Sequence, residues 1–560
     1  MNMKYAILMG LTALFISGEG CKKSESGHSA ALAPRSVLAP SADTVARVHW
    51  LGKRQLGLEA GAYYLMRLWQ LPESGNLEAQ TINNLATAPW RLLYGEQEST
   101  NVFGNALRPL LADVVQQECY IEVHQPTNRA GEWVFAIRLD DSQVERWETY
   151  SAAVVQSLID VFAVSDQRRR GWSIKSPSAP HLIELSHIGD WTLIGAADEK
   201  NALMGAIIGR IRRSGVPYIE PENPSKTKCW LEAEFDPVRT AKALGLDWNL
   251  PRNLPRVVMS VTGDGGNVLT HGELTFPELP PAGFEPWRIP TNRIHEPLVG
   301  LTAIRDIQSW LATWKAWNDL QIGAPPNQIF FWAPDGIGMQ ILAGVPMLDA
   351  ANQVRGLSEV VVRRVNPWLS LHGVGAFEQA PDGNGIMWKG LSLIAPSARA
   401  VDQGRLALAA LLPRLVPGTN TQADLYERPS LDELFQELSA GTNLVAFDWE
   451  LTGPRVESCL YVGQALRVAF RRPQLPLQST AAAWLYAIKP RLGNCTTAIH
   501  RTGTNQLSFD RKSSIGLTGA ELNLLADWLE SPQFPRGLYT LLAPADMPQT
   551  TPTPAKSSDH

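Results

Sequence analysis

The chain has 560 residues, a formal net charge of −5 from 50 Lys and Arg against 55 Asp and Glu, and a hydrophobic content of 44%. This apolar share can fill folded cores, so the composition excludes a disordered or collagen-like chain. The near-balanced charge and the pI near 6.1 lack the basic footprint of a nucleic-acid-binding protein, so we expect no nucleic-acid partner.

The first twenty residues, 1–20, have the layout of an export signal. Lys4 precedes an apolar run from Tyr5 to Ile16. That run is too short to span a bilayer, which needs about 20 residues, but it suits the central region of a signal peptide. We therefore expect export from the cytoplasm.

The residues around Cys21 suggest how the signal ends. Small residues Gly18 and Gly20 precede Cys21, a layout that an ordinary signal peptidase could cleave. It also resembles the signal of bacterial lipoproteins, in which the cysteine becomes the acylated first residue. Gly18 stands where that signal usually carries an aliphatic residue. The following segment, 21–43, is rich in Ser, Ala, Pro and Lys, as expected of a flexible tether.

Residues 44–285 predict a first α+β half. Thr44–Leu51 alternates apolar and polar side chains as a half-buried strand does, and a helical pattern follows it. Cys119–Asp140 predicts two strands followed by a helix over Ser142–Phe162. His181–Gly195 predicts a hairpin, and Asp198–Arg213 a further helix.

Within this half, the segment from Trp230 carries the best arrangement of carboxylates. In a strand, Glu232, Glu234 and Asp236 would share one face while the apolar residues between them face a core. Carboxylates two positions apart are separated by roughly 6.5–7 Å, the range of an inverting glycosidase pair. A solvated strand face gives the same pattern, so both interpretations stay open.

A Pro-rich stretch over residues 278–297 separates the two halves, and residues 295–542 predict the second. Gln328–Val345 predicts two strands followed by a helix over Ala350–Arg364, as in the first half. Ala376–Ala395 then predicts a hairpin, and a helix is expected from Ala398 to Leu412. An insertion near 449–477 carries a hairpin signal at Gly453-Pro454.

The two halves repeat the order of their predicted elements. Thr262-Gly263 recurs as Thr502-Gly503, and Thr240-Ala241 as Thr480-Ala481, both at an offset of 240. The sequence therefore predicts an α+β fold of two tandem, structurally similar halves, each a mainly antiparallel sheet with helices on one face. The Pro-, Thr- and Ser-rich residues 543–560 predict a disordered tail.

Tryptophans in the second half raise the question of a partner surface. Trp310, Trp314 and Trp317 would share one face of a helix. Exposed, they could stack on sugar rings or contact a partner protein. Ile307 and Leu311 belong to the same stripe, however, so packing against the sheet is the alternative.

The remaining cysteines and the sequence motifs indicate no metal-binding or catalytic site. Cys119, Cys229, Cys459 and Cys495 allow three disulfide pairings or four free thiols. The sequence contains no CxxC pair, no HExxH motif and no GxSxG motif. We therefore expect no metal, no cofactor and no catalytic residue.

Together these features resemble bacterial envelope lipoproteins, and the resemblance rests on residues 1–43 and the two-part layout. It implies a protein anchored by lipid at Cys21 and facing the periplasm or cell exterior. The leading hypothesis is a non-enzymatic binding or scaffold protein, with an envelope protein or polymer as a candidate partner. The alternatives are a hydrolase of glycan or peptide, using Glu232, Glu234 and Asp236, and a subunit of an envelope assembly.

Overall fold

A computed structural model describes most of the body of the chain. The residues described are 43–94, 101–126, 131–159, 164–165, 171–175, 182–198, 200–219, 229–246, 250–251, 253–281, 283–313, 317–318, 323–335, 340–371, 375–390, 395–411, 427–469, 478–531 and 533–535. The predicted signal, the tether except its last residue, and the tail lie outside the described residues.

Twenty strands within these residues form one antiparallel sheet. The first ten are β1 (Thr44–Trp50), β2 (Cys119–His124), β3 (Glu132–Arg138), β4 (Val164–Ser165), β5 (Gly171–Lys175), β6 (Leu182–Ile188), β7 (Trp191–Ala197), β8 (Leu231–Phe235), β9 (Arg256–Gly263) and β10 (Val268–Thr275). The others are β11 (Leu298–Arg305), β12 (Gln328–Pro334), β13 (Leu342–Pro346), β14 (Gly375–Gln379), β15 (Gly385–Gly390), β16 (Ser397–Val401), β17 (Leu406–Ala410), β18 (Leu444–Leu451), β19 (Asn494–Arg501) and β20 (Gln506–Ser513).

The strand order of the first half recurs in the second. From one edge the order is β4, β5, β6, β7, β3, β2, β1, β8, β9, β10. It continues with β20, β19, β18, β11, β12, β13, β17, β16, β15, β14. Each second-half strand thus takes the place of the strand numbered ten lower, and the halves meet where β10 pairs with β20. The α+β class is confirmed, and duplication as the origin of this repeat stays a prediction.

The 240-residue offset between dipeptides does not describe this repeat. Thr262 and Gly263 end β9, whereas Thr502 and Gly503 lie in the turn after β19. The two halves therefore share the order of their strands, but the matching dipeptides do not lie at equivalent positions in that order.

Helices cover the sheet and lie in several of the connections between its strands. In the first half they are α1 (Lys53–Leu56), α2 (Tyr63–Trp69), α3 (Pro72–Tyr94), α4 (Asn101–Gln116), α5 (Asp141–Ile159), α6 (Ala202–Ser214) and α7 (Pro237–Ala243). In the second half they are α8 (Gln308–Ala312), α9 (Ala350–Arg364), α10 (Asn366–Leu371), α11 (Leu431–Ala440), α12 (Thr452–Ala469), α13 (Thr480–Ile488) and α14 (Gly519–Leu529). Short 3₁₀ helices lie at Ala60–Ala62 and Lys489–Arg491. None of the described helices is long and apolar enough to cross a membrane.

The two faces of the sheet are covered by different helices. We call the face that carries Ile121 and Phe135 the front, and it packs under α5 through Trp147. The back carries Tyr120 and Val134 and packs under α6. The first half is thus covered by helices on both faces and not on one face as predicted, because alternate side chains of a buried strand enter two separate cores.

The predicted helix from Ala398 to Leu412 is wrong, because the chain forms the hairpin β16–β17 there. Asp402, Gln403 and Gly404 have φ values of 54°, 57° and 79°, which turn the chain back on itself. Arg293 Nε donates to Asp402 Oδ1 at 3.0 Å and holds this turn. Tertiary contact therefore overrides the helix propensity of this alanine-rich segment.

The hairpin expected at Gly453-Pro454 is also wrong, because both residues lie in the first turn of α12. Proline is tolerated there since the first N–H groups of a helix have no intrahelical acceptor. The helices α3 and α4, for which the sequence predicted no element, each contain an internal proline, Pro89 and Pro109. The capping boxes at Ser430 and Thr518 begin α11 and α14.

The Pro-rich stretch between the halves packs on the second half. Trp287 and Ile289 contact the core beneath α11. Arg305 is 4% exposed, and its guanidinium lies 4.7 Å from the Trp287 ring centroid and 5.0 Å from that of Phe284. The same group donates to the carbonyls of four residues, Glu285, Gly441, Thr442 and Leu444, and ties the stretch to strand β18.

Candidate functional site

An apolar cavity of about 300 Å³ lies on the front of the sheet, at the junction of the two halves. Its floor includes Leu231 of β8, Val261 of β9 and Val268 of β10. Helices α2, α3 and α4 enclose it from the first half. From the second half it receives the side chains of Trp484, Ile515, Leu517, Leu525 and Leu529.

Segments from different loops of the two halves build the cover of this cavity. In the first half, α3 and α4 are inserted between β1 and β2; in the second, α12 and α13 lie between β18 and β19, and α14 follows β20. One hydrophobic core contains Leu77 and Leu85 of α3 together with Trp484 of α13 and Leu522 of α14. The cavity therefore exists only when both halves are assembled.

The lining is almost entirely apolar. Four tryptophans contribute to it, Trp50, Trp69, Trp230 and Trp484. The hydroxyl of Ser74, one of the few polar lining groups, donates to Leu68 O at 2.7 Å, and the indole of Trp50 donates to Val115 O at 3.2 Å. A bound water needs two to four polar partners, so such a lining favours an apolar occupant over water.

One charged pair marks a polar end of the cavity. Glu78 lines the cavity, and its Oε2 accepts from Lys53 Nζ at 2.6 Å and from Trp69 Nε1 at 2.7 Å. Lys53 Nζ also lies 4.8 Å from the Trp69 ring centroid. The side chains of Lys53 and Glu78 are 18% and 20% exposed, and Glu78 is the member of the pair that lines the cavity.

A second group of polar side chains lies on the same face of the sheet. Directly opposed residues of neighbouring strands share a face. A row of such residues crosses the sheet from the cavity floor, and its members are Leu231, Val261, Thr270, Arg511, Thr497 and Asp448. Glu450 is two positions beyond Asp448 and therefore also points to the front. Asp448, which is half-buried, and Glu450, which is buried, form an acidic pair beneath α12 and α14.

The direct contacts of this pair come from β11, α12 and α14, and Arg511 of β20 acts on Asp448 through its charge. Thr302 Oγ1 donates to Asp448 Oδ1 at 2.5 Å, and the backbone N–H of Gly519 donates to Glu450 Oε1 at 2.6 Å. Arg455 Nε of α12 is 3.7 Å from Glu450 Oε2. Arg511 contacts the carboxylate of Glu521 through both terminal nitrogens, at 2.5 and 2.8 Å.

Burial dominates the acid–base behaviour of the pair. Desolvation, with the neighbouring charge of Asp448, raises the pKa of Glu450 to about 7. Burial also raises the pKa of Asp448, against the hydrogen bond from Thr302. The burial of Cys459, on α12, raises the pKa of its thiol, which makes it a poor nucleophile.

The structure keeps Glu232 and Glu234 of the predicted acidic face on one side of the strand and separates Asp236 from them. Glu232 and Glu234 point to the back of the sheet, away from the cavity, because their neighbour Leu231 points to the front. Glu234 forms ion pairs with Arg47 and Arg256. Asp236 lies beyond the strand and caps α7, accepting from the N–H of Arg239 at 2.9 Å. The contacts of Glu234 and Asp236 are those of structural residues.

The predicted tryptophan stripe is only partly described. Helix α8 ends at Ala312, and Trp314 lies outside the described residues. Trp310 is 49% exposed. Trp317 donates its indole N–H to Gly323 O at 3.1 Å. These positions leave a partner surface at Trp310 a prediction.

The four cysteines Cys119, Cys229, Cys459 and Cys495 are all free thiols. Cys21 lies outside the described residues. Among the described residues, no group of three or more His, Cys, Asp or Glu side chains could hold a metal ion.

Sequence reasoning missed both the cavity and Glu450. The apolar lining comes from segments far apart in the chain, so no local pattern could reveal the cavity. The acidic pair did carry a signal, since Asp448 and Glu450 alternate with Phe447 and Trp449 at the strand period of two.

Comparison with known proteins assigns no family. No protein-family model and no curated protein sequence matches the chain. One solved structure that matches is crystal form III of TP0453, with 8% sequence identity, covering 41% of this chain and 76% of that chain at a TM-score of 0.21. This similarity is too weak to carry an argument about fold or function.

Proposed function

We propose that the protein is a lipid-anchored envelope protein that binds an apolar ligand in the cavity between its two halves. The observation that carries the proposal is the 300 Å³ apolar cavity with four tryptophans in its lining. Ligand sites are mostly apolar pockets with a few placed polar groups, and they occur preferentially between domains. The hydrolase alternative loses support from the two arginines that hold Glu234.

The partly open form of the cavity supports a bound ligand. When it is empty, its tryptophan and leucine side chains face water. An apolar ligand would bury these side chains and stabilise the folded state by mass action.

Filling the cavity should abolish binding. In the double variant Leu517→Trp/Leu525→Trp, two indole rings occupy the ligand volume, and we expect the affinity for the fluorescent probe 1-N-phenylnaphthylamine to fall at least tenfold, about 1.4 kcal/mol. The matched control is Leu58→Trp/Leu348→Trp, because these leucines are 85% and 90% exposed. We expect the control to bind like the wild type.

Thermal unfolding of both variants without probe separates filling from misfolding. A filled apolar cavity should keep or raise the melting temperature, whereas overpacking lowers it. Equal probe affinity in the filled variant and the wild type would disprove binding in this cavity.

The lipid anchor is tested independently at Cys21. The substitution Cys21→Ser removes the thiol that the acyl group would modify, so we expect the protein to move from the membrane fraction to the soluble periplasmic fraction. Cell fractionation with immunoblotting measures this shift. Unchanged membrane association would argue against acylation at this residue.

A further inference from the structure

We propose that the ligand is an amphiphile with an acyl chain and an uncharged, hydroxyl-bearing head group, and that the head group lies against Lys53, Glu78 and Trp69. This inference rests on the proposed function, because it concerns the same cavity. It identifies the class of ligand and its orientation.

The volume of the cavity suits an acyl chain. Liquid water takes about 30 Å³ per molecule and a methylene group takes a similar volume, so 300 Å³ holds at least about ten methylenes. The tryptophan and leucine side chains of the lining offer such a chain apolar contacts.

The hydrogen bonds of Glu78 leave room for a polar head group. In the described part of the chain, Lys53 and Trp69 both donate to Oε2, and no donor reaches Oε1. Lys53 has three N–H donors, of which one is directed at Glu78. The pair therefore offers an acceptor and further donors side by side, which a hydroxyl group can use together because it both donates and accepts.

The charges of the pair disfavour an ionic head group. A carboxylate approaching Lys53 meets the negative charge of Glu78 beside it, and an ammonium approaching Glu78 meets Lys53. The two charges are 2.6 Å apart, so the site is neutral as a whole and gives neither ion a net attraction. An ion would also lose hydration in a mostly apolar site, which costs more than the desolvation of a neutral group.

Three ligands with the same 14-carbon chain test the head group. In displacement of 1-N-phenylnaphthylamine from the Cys21→Ser protein at pH 7.5, we expect 1-monomyristoylglycerol to bind with at least tenfold higher affinity than myristate or tetradecyltrimethylammonium. Glu78→Gln keeps the size of the side chain and removes its charge, so myristate should gain at least tenfold. Lys53→Met should produce the opposite change and favour the ammonium ligand.

The pattern of outcomes separates this inference from the proposed function. A change of preference in opposite directions cannot come from misfolding, which would weaken all three ligands. If the three ligands bind equally in the wild type and in both variants, the cavity binds the 14-carbon chain without distinguishing the head groups, and the inference is wrong. If none of them competes with the probe, or if the filled variant Leu517→Trp/Leu525→Trp binds them as the wild type does, the proposed function itself fails.

Discussion

Replacing Glu234 with Gln should lower the free energy of unfolding by about 3–5 kcal/mol at pH 7, the usual effect of removing one partner from a buried ion pair. Glu234 is 6% exposed and its partner Arg47 is 11% exposed, so neither group can turn to solvent. A glutamine at this position offers one oxygen to two guanidinium groups and directs its amide N–H groups toward the other. The guanidinium of Arg47, whose pKa burial already lowers, would be left without its nearest counterion.

The substitution Glu232→Gln is the matched control, since Glu232 lies on the same face of the same strand. No ion pair with Glu232 occurs among the described residues, and we expect an effect below about 1 kcal/mol. Urea denaturation followed by tryptophan fluorescence measures both variants, and Glu234→Asp provides a milder change if Glu234→Gln fails to fold. Equal effects at positions 232 and 234 would contradict a structural role confined to Glu234.

The substitution Glu450→Gln should stabilise the protein by up to about 3 kcal/mol at pH 8 and by less than about 1 kcal/mol at pH 5. Glutamine keeps the oxygen that accepts from the N–H of Gly519, so the contact with the first residue of α14 remains. What it removes is a buried negative charge beside Asp448. The gain is therefore electrostatic and appears only where Glu450 is ionised in the wild type.

The sign of this pH dependence follows from the raised pKa of Glu450, about 7 in the fold against an ordinary value of 4.5. The folded chain holds this proton more tightly than the unfolded chain, so the stabilising contribution is complete below pH 4.5 and is lost as the pH rises through 7. Unfolding curves between pH 5 and 8 should fall for the wild type and stay flatter for Glu450→Gln. The exposed Glu278 serves as control through Glu278→Gln, and parallel curves for Glu450→Gln and wild type would contradict the prediction.

Glu122, on the back of the sheet in the first half, should contribute the opposite pH dependence of stability. Burial alone would raise the pKa of Glu122, but hydrogen bonds from His124 and Tyr120 and the charge of Arg210 lower it to about 2. Its contribution to stability is present above pH 4.5 and is lost as the pH falls toward 2. The acid limb of the wild-type profile therefore includes the loss of the Glu122 contribution, and the alkaline limb includes the ionisation of Glu450.

Local patterns determined much of the fold. The alternation in Thr44–Leu51 and the polar turn within Cys119–Asp140 predicted strands that the structure contains. The patterns Ser430-x-x-Glu433 and Thr518-x-x-Glu521 are capping boxes in the sequence, and each begins a helix. These signals succeed because they depend on side chains within one or two turns of the same element.

Local patterns failed where distant residues decide the conformation. Ala398–Leu412 has helix-forming composition, yet its alanines form a hairpin held by Arg293 from the Pro-rich stretch. Helices α3 and α4 each contain an internal proline, which disfavours a helix when only the local sequence is considered. They nevertheless pack against helices of the other half. In both cases packing between remote segments outweighs local propensity.

Length, charge balance and hydrophobic periodicity by themselves determined an α+β protein of two similar halves, and they left its chemistry open. The tertiary structure decided where the tryptophans of that composition lie, and it placed four of them around a cavity at the junction of the halves. It also turned Glu232 and Glu234 away from the cavity and placed Asp448 and the buried Glu450 on the cavity's face of the sheet. A strand's period of two shows which residues share a face, but only the packing of helices from both halves determines what covers that face.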